Sequence, residues 1–194
     1  MAAPAHPRHG EAMGFQGPAT LQPQYSLVDR EIEYEIVPAA LHNNIGLLPW
    51  SPLAAGFLSG KYNKGEKASR DTRAGGGNPM NDQIFGDLAG KDQNWATLDA
   101  VRDIATTNDV TPAQVAVSWA ANRPGITAPI IGAKTLKQLE QNLVAGELVL
   151  SEADTARLNE VSTPTPNDYP YGPFGVKQRD RYIDSSDQAI GELF

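Results

Sequence analysis

The sequence predicts an α/β protein with a parallel sheet, and two observations carry that reading. Three short segments that read as strands, residues 20–26, 46–50 and 126–132, alternate with stretches whose apolar residues recur at helical spacing. Helix boundaries between them are signposted by capping residues, most clearly at Thr111, Pro112 and Gln114. Strand, helix, strand, a long connection with helices, strand, helix is the order of a parallel sheet. Alternation alone leaves an open sheet and a closed barrel both available.

The first segment, "TLQPQYS", reads as a short strand in spite of Pro23. Asp29 can cap the next stretch, where Ile32, Ile36, Val37, Ala40 and Leu41 share a helical face and Pro38 predicts a kink. Asn43, Asn44 and Gly46 then supply stop signals before the strand "GLLPW". Residues 64–91 are polar and glycine-rich and read as a mobile functional loop or insertion. A helix over about 95–107 places Leu98, Val101, Ile104 and Ala105 in register. The helix capped at Thr111 carries Val115, Trp119 and Asn122 and ends at Pro124 and Gly125. After the strand "ITAPIIG" comes a helix expected to turn Leu136, Leu139, Leu143 and Val144 inward. Ser151 caps a last helix to about Val161. No internal repeat is present.

Length and composition narrow the functional classes. The 194 residues are enough for one substantial core. Lys plus Arg total 16 against 23 Asp plus Glu, a formal charge of −7, so nucleic acid and anionic membrane are not the expected partners. Absence of cysteine excludes disulfides, thiol catalysis and cysteine-bound zinc. The first twenty residues lack the apolar core of a signal peptide, and no window reaches the roughly 18 apolar residues of a spanning helix. A soluble, cytoplasmic protein is the expectation. His6 and His9, among Pro and Gly, read as solvent-exposed side chains rather than metal ligands.

Two strand ends carry residues suited to phosphate. At "IIGAKTLKQLEQN" a strand ends at Gly132 and a helix begins near Thr135, so its first amides and dipole favour an anion, and Lys134 adds a full charge. Gln138 and Gln141 or Asn142, one and two turns on, could hydrogen-bond an adenine or ribose. An ordinary capped helix with a surface lysine fits the same residues. In "GLLPWSPLAAGFLSGKY" the flat ring of Trp50 could stack on a heterocycle, Ser51 offers a hydroxyl, and Leu53, Ala54 and Ala55 offer amides beside small side chains. Pro49 and Pro52 stiffen this turn and Lys61 supplies a cation; a core tryptophan before a flexible loop is the alternative. Two such loops in one α/β chain argue for a dinucleotide.

"LQPQYSLVDR", "LLPWSPLAAGFLSGKY" and "PIIGAKTLKQLEQNL" together resemble successive blocks of the aldo-keto reductase family, notably its branch with potassium-channel β subunits and bacterial homologues. The resemblance covers roughly residues 18–162. It implies a partial (β/α)8 TIM barrel, with C-terminal strands and helices only. Residues 20–162 would be its NADP-binding part, 1–19 a poorly structured lead-in and 163–194 a tail. It also implies NADP(H) bound in an extended pose. Gln22 would contact the nicotinamide carboxamide and Trp50 would stack on the ring. Ser51, Pro52, Leu53, Ala54 and Ala55 would wrap the pyrophosphate with Lys61 nearby, and Arg70 or Arg73 would fold over from the long loop. Gly132, Lys134, Gln138, Gln141 and Asn142 would hold the adenosine half, with Lys134 at the 2′-phosphate. Lysine keeps the charge without arginine's fork, which implies NADP ahead of NAD.

The same resemblance implies an activity that this chain does not complete. Family members protonate a carbonyl with a tyrosine helped by lysine, aspartate and usually histidine, all from earlier barrel strands. None of Tyr25, Tyr34, Tyr62, Tyr169, Tyr171 or Tyr182 stands in that motif, nor does His42, so no catalytic residue is assigned. The expected function is NADPH-dependent reduction of a small-molecule carbonyl substrate, represented by its cofactor-binding portion. A non-catalytic NADP(H)-binding regulatory or partner subunit is the alternative, and an unrelated flavin-type phosphate barrel a third. A fragment, a truncated gene product or a subunit completed by another chain is expected, with open strand edges, Leu48, Ile130 and Ile131 facing water or that chain, and weak stability alone.

Overall fold

The computed structural model describes Gly14 and residues 17–179; His6 and His9 lie outside the described residues. Strand β1 (Thr20–Leu21) pairs in parallel with β2 (Gly46–Leu47). Isolated bridges extend the ladder: Gln24 faces Trp50 on one side, while Leu47 and Trp50 face Ile126 and Ile130 on the other. Segment 46–50 therefore runs between 20–25 and 126–130, all parallel, as the alternation predicts.

Register in this small sheet is set by proline. Three steps from Leu47 to Trp50 are matched by four from Ile126 to Ile130, so the third segment carries one extra residue. Neither Pro49 nor Pro129 has an N–H to donate. Leu47 O accepts from Thr127 N–H at 2.8 Å, but Pro49 O is reached only by Ile130 N–H at 2.7 Å. The slip turns Ile130 to the face that Trp50 occupies, because directly paired residues share a face. Pro23, Tyr25, Leu47 and Pro49 are buried, whereas Gln22, Gln24, Trp50 and Ile130 are exposed. One face is packed and the other is open.

Helices cover the packed face. They are α1 (Ile36–His42), α2 (Pro79–Ala89), α3 (Asp92–Thr107), α4 (Pro112–Ala121), α5 (Leu136–Val144), α6 (Glu152–Val161) and α7 (Pro173–Arg179). The capping box at α4 forms as read: Gln114 N–H donates to Thr111 Oγ1 at 3.2 Å and Thr111 N–H to Gln114 Oε1 at 2.8 Å. Leu98, Val101 and Ile104 of α3 meet Val115, Ala116 and Trp119 of α4 and Leu158 of α6 in the core, all at most 2% exposed. Gly60 lets the chain after Trp50 close on α4. Its φ of 81° is left-handed, and a Cβ there would stand 2.8 Å from Pro112 Cγ.

Four expectations are corrected. Residues 64–91 are not loop throughout, because Asn78 caps α2 through its Oδ1, which accepts from Met80 N–H at 3.0 Å, and Pro79 occupies the first turn. The stretch after Asp29 forms a 3₁₀ turn, Glu31–Glu33, and becomes α-helical only at Ile36, leaving Ile36 and Leu41 exposed. Pro38 falls in the first turn of α1, where its missing N–H breaks no helical bond, so it produces no break. Finally, α5 forms where read, but Leu136, Leu139, Leu143 and Val144 point to solvent, 39–70% exposed. Periodicity defined the stripe and not what it meets.

A buried polar cluster fastens the carboxyl end of the first strand to α4 and α6. Tyr25 hydroxyl donates to Glu33 Oε1 at 2.5 Å, and Arg30 donates to both Glu33 oxygens at 2.9 Å. Arg30 Nη1 also reaches Asn159 O at 2.9 Å and Ser162 Oγ at 2.8 Å. Trp119 donates through Nε1 to Asn159 Oδ1 at 2.9 Å and has the Arg30 and Arg123 guanidinium carbons 5.3 and 5.2 Å from its ring centroid.

Burial alone would push the Glu33 carboxyl up, but hydrogen bonds from Arg30 and Tyr25 and the charges of Arg30 and Arg123 together hold it below its ordinary range. A depressed carboxyl stabilises the fold above its unfolded pKa, about 4.3, and that contribution is lost as pH falls through the folded value. Urea midpoints should therefore drop on acidification below about pH 4.3. Glu33→Gln should cost roughly 1.5–3 kcal/mol at neutral pH, the scale of lost charge-assisted hydrogen bonds, and flatten part of that acid dependence. An unchanged acid profile in the variant would remove Glu33 from this role.

Candidate functional site

The strand register decides what shares the carboxyl edge of the sheet. Trp50 ends the middle segment, held by its N–H to Pro23 O at 2.9 Å and by Tyr25 N–H to its carbonyl at 3.2 Å. It is bridged on either side to Gln24 and Ile130. Gln22 lies two residues before Gln24, and Lys134 four residues beyond Ile130, a reach of at most about 14 Å for extended chain. Gln22, Gly132 and Lys134 thus lie within four residues of the positions bridged to Trp50, and Ser51 follows it directly. The indole is 43% exposed, leaving much of its surface open.

The turn after Trp50 is held in an uncommon backbone shape. Ser51 has φ 59°, Ala54 φ 47° and Ala55 φ 55°, three left-handed non-glycine residues within five positions. Leu53 (φ −97°, ψ 11°) precedes Ala54, a right-then-left succession of the kind that turns successive amides toward one side. Ala54 N–H closes onto Ser51 O at 2.8 Å and Gly56 N–H onto Leu53 O at 2.9 Å. Among the described residues, the Ser51 and Leu53 amides and the Ser51 hydroxyl donate to no protein acceptor. Pro52 and Ala54 are buried, and Phe57 and Leu58 beyond them anchor the turn in the core.

At the second loop, Thr135 Oγ1 accepts from Gln138 N–H at 3.2 Å while Gln138 Oε1 accepts from Lys134 N–H at 2.9 Å. Gln138 is therefore committed through its carbonyl oxygen to capping α5, leaving its amide nitrogen for another partner. Gln141 presents its backbone carbonyl to Gln114 Nε2 at 3.0 Å, and Asn142 is buried at 8% exposure on α5. Lys134, Lys61, Arg70 and Arg73 are all exposed. Lys61 lies close enough to Asp71 to act on it: a Ser69 side-chain hydrogen bond first, with Lys61's charge in addition, lowers that carboxyl.

Chemically, the end of the middle segment offers a flat, half-exposed aromatic surface and unclaimed amides. Tyr25 is no proton donor to it, since its side chain is 1% exposed, its hydroxyl is spent on Glu33, and burial with that neighbour pushes its pKa up. Among the described residues no group of three His, Asp or Glu side chains forms a metal site, and no helix is long and apolar enough to cross a membrane. Sequence reasoning missed the left-handed turn, because serine and alanine at positive φ leave no compositional mark. It also missed the Tyr25–Glu33–Arg30 cluster, for which an aromatic, an acid and a base at a strand end were the available signal.

The profile of the Aldo/keto reductase family matches residues 8–163. The chain belongs to this family. Among curated relatives, it is 33% identical to the uncharacterized oxidoreductase YrpG of Bacillus subtilis over 151 residues, 78% of this chain and 42% of that protein. It is 35% identical over 142 residues to a probable voltage-gated potassium channel subunit beta of Arabidopsis thaliana, 72% of this chain and 42% of the relative. An aldo-keto reductase of Fusarium vanettenii is 31% identical over 155 residues, covering 80% and 40%. The chain thus spans about two fifths of the length of these relatives.

For this aldo/keto reductase chain, the turn's shape can be tested without any ligand. A β-branched side chain at a buried left-handed position is doubly disfavoured, so Ala54→Val should lower stability by about 2 kcal/mol in urea unfolding. Ala54→Gly should be close to neutral. Equal stability of the valine variant would mean that the turn is not left-handed.

Proposed function

We propose that this chain is the NADP(H)-binding portion of an aldo/keto reductase that reduces a carbonyl to an alcohol. The observation that supports the reading is the register pairing of half-exposed Trp50 with Ile130, four residues before Lys134. The residues present fit the cofactor. Trp50 would support the nicotinamide face, with Gln22 at its carboxamide. The Ser51 hydroxyl and the Ser51 and Leu53 amides would receive the pyrophosphate, with Lys61 and Arg70 adding charge. Lys134 would meet the 2′-phosphate, and Gln138, Gln141 and Asn142 line the helix beyond it. Bound there, NADPH supplies the hydride for the carbonyl carbon.

The acid that protonates the carbonyl oxygen, and most of the substrate pocket, come from outside this sequence. The three parallel segments are read as part of an eight-stranded barrel completed by the remaining strands. A cytoplasmic setting accords with a cysteine-free chain. A second reading, a regulatory NADP(H)-binding subunit without turnover, is favoured by the 35% identity to the plant channel β subunit.

Titrating NADPH while following tryptophan fluorescence tests the cofactor reading. Trp50→Ala should remove most of the quench and weaken binding about 10- to 100-fold, the scale of a lost stacking surface. A retained quench would count against stacking. Lys134→Gln should weaken NADPH about tenfold and leave NADH unchanged, as loss of one charged phosphate contact would. Equal loss for both cofactors would place Lys134 elsewhere. Carbonyl turnover on addition of the missing strands separates the reductase from the regulatory subunit.

A further inference from the structure

Gln114 caps two helices at once. It sits in the first turn of α4, where every residue from Gln114 to Ala120 is buried. Its Oε1 accepts from Thr111 N–H at 2.8 Å and closes the capping box. With the oxygen turned to Thr111, the amide nitrogen points the other way, and Nε2 donates to Gln141 O of α5 at 3.0 Å. That carbonyl lies in the last turn of α5. Ala145 N–H, its helical donor, goes instead to Asn142 O at 3.2 Å, so Gln114 satisfies a carbonyl that the helix end leaves orphaned.

Helix α5 has little else to hold it. Asn142 is the one buried residue between Leu136 and Val144, and residues 132–137 are all exposed. The chain is anchored again once the helix has ended, where Ala145 is fully buried and Ser118 Oγ donates to Leu148 O at 2.5 Å. The Gln114 bond therefore joins a fixed helix to one whose amino-terminal half stands free, and Lys134 and Gln138 belong to that free half.

Residue choice points the same way. A capping box takes Glu as readily as Gln at this position, and a helix N-terminus favours an acid through its dipole. A carboxylate, however, has no proton for Gln141 O. Of the two, only the amide serves both helices.

We infer that Gln114 is a positioning residue for the adenosine half of the cofactor site, holding α5 so that Lys134, Gln138 and Asn142 are presented to a 2′-phosphoadenosine. It acts through the Gln141 carbonyl and not by touching the ligand. This role rests on the NADP(H) reading above, in which α5 borders the adenosine.

The test compares Gln114→Glu, which keeps the box and loses the donor, with Gln114→Ala, which loses both. Two half-ligands are titrated against the 194-residue chain: adenosine 2′,5′-bisphosphate by calorimetry, and reduced nicotinamide mononucleotide by quenching of tryptophan fluorescence. Both variants should bind the bisphosphate about tenfold more weakly, the scale of one lost hydrogen bond, and keep the mononucleotide affinity within about twofold. In the Glu variant amide exchange should quicken across 134–144 and stay slow in α4. The urea midpoint should fall further for Ala than for Glu. An equal loss of bisphosphate affinity in both would then follow the missing donor, and neither stability nor charge. Unchanged bisphosphate binding or unchanged α5 exchange in Gln114→Glu overturns the role. So does a loss confined to Gln114→Ala, which would make Gln114 a cap alone, and so does an equal loss for both half-ligands, which would mark a general effect on the fold. An unaltered chain that does not bind the bisphosphate defeats the cofactor reading and this role with it, whereas binding that Gln114→Glu leaves intact defeats the role alone.

Discussion

Everything at the carboxyl edge depends on the middle strand being held in register from both sides. Leu47 has no solvent exposure, donates its N–H to Gly125 O at 3.2 Å and accepts from Thr127 N–H at 2.8 Å, while Leu48 N–H reaches Leu21 O at 2.8 Å. A one-residue shift of any of the three segments would turn its side chains to the other face. Trp50 would then enter the helical layer, and the loop after it would lose its place beside the third segment. The indole and Ile130, from which the lysine loop departs, stand side by side because the ladder holds this register.

The polar cluster around Glu33 is the complementary anchor. Tyr25 touches the site only through a backbone N–H, yet its ring lies 5.4 Å from Trp119 and its hydroxyl is tied to Glu33. Through Arg30, Asn159 and Ser162 the same cluster grips α6. A strand end fastened to two helices is a rigid mount, and it fixes the backbone beside Trp50. Buried ionic groups contribute little net stability compared with apolar packing, but they tolerate few alternative arrangements.

Much of the fold was legible because the signals were local. Thr111 with Gln114, Thr135 and Ser151 each cap the helix that follows them, and Leu98, Val101 and Ile104 are buried as their spacing demands. Failures came where the answer lay elsewhere in space. Asn78-Pro79 is a sound helix start but was submerged in a glycine-rich stretch. The α5 stripe was right as a stripe, and its direction depends on what lies across from it. Within the candidate site, residue types pointed to stacking and phosphate, but the left-handed turn and the capping duty of Gln138 follow from tertiary packing and helix geometry.

The proline pair has a last consequence. With Pro49 and Pro129 unable to donate, the far end of the ladder between the second and third segments hangs on the single link from Ile130 to Pro49. Local opening should start there, since few bonds must break. A ligand spanning that seam would act as a clasp, closing the part of the sheet that the backbone leaves least secured and raising the resistance of the whole fold to unfolding.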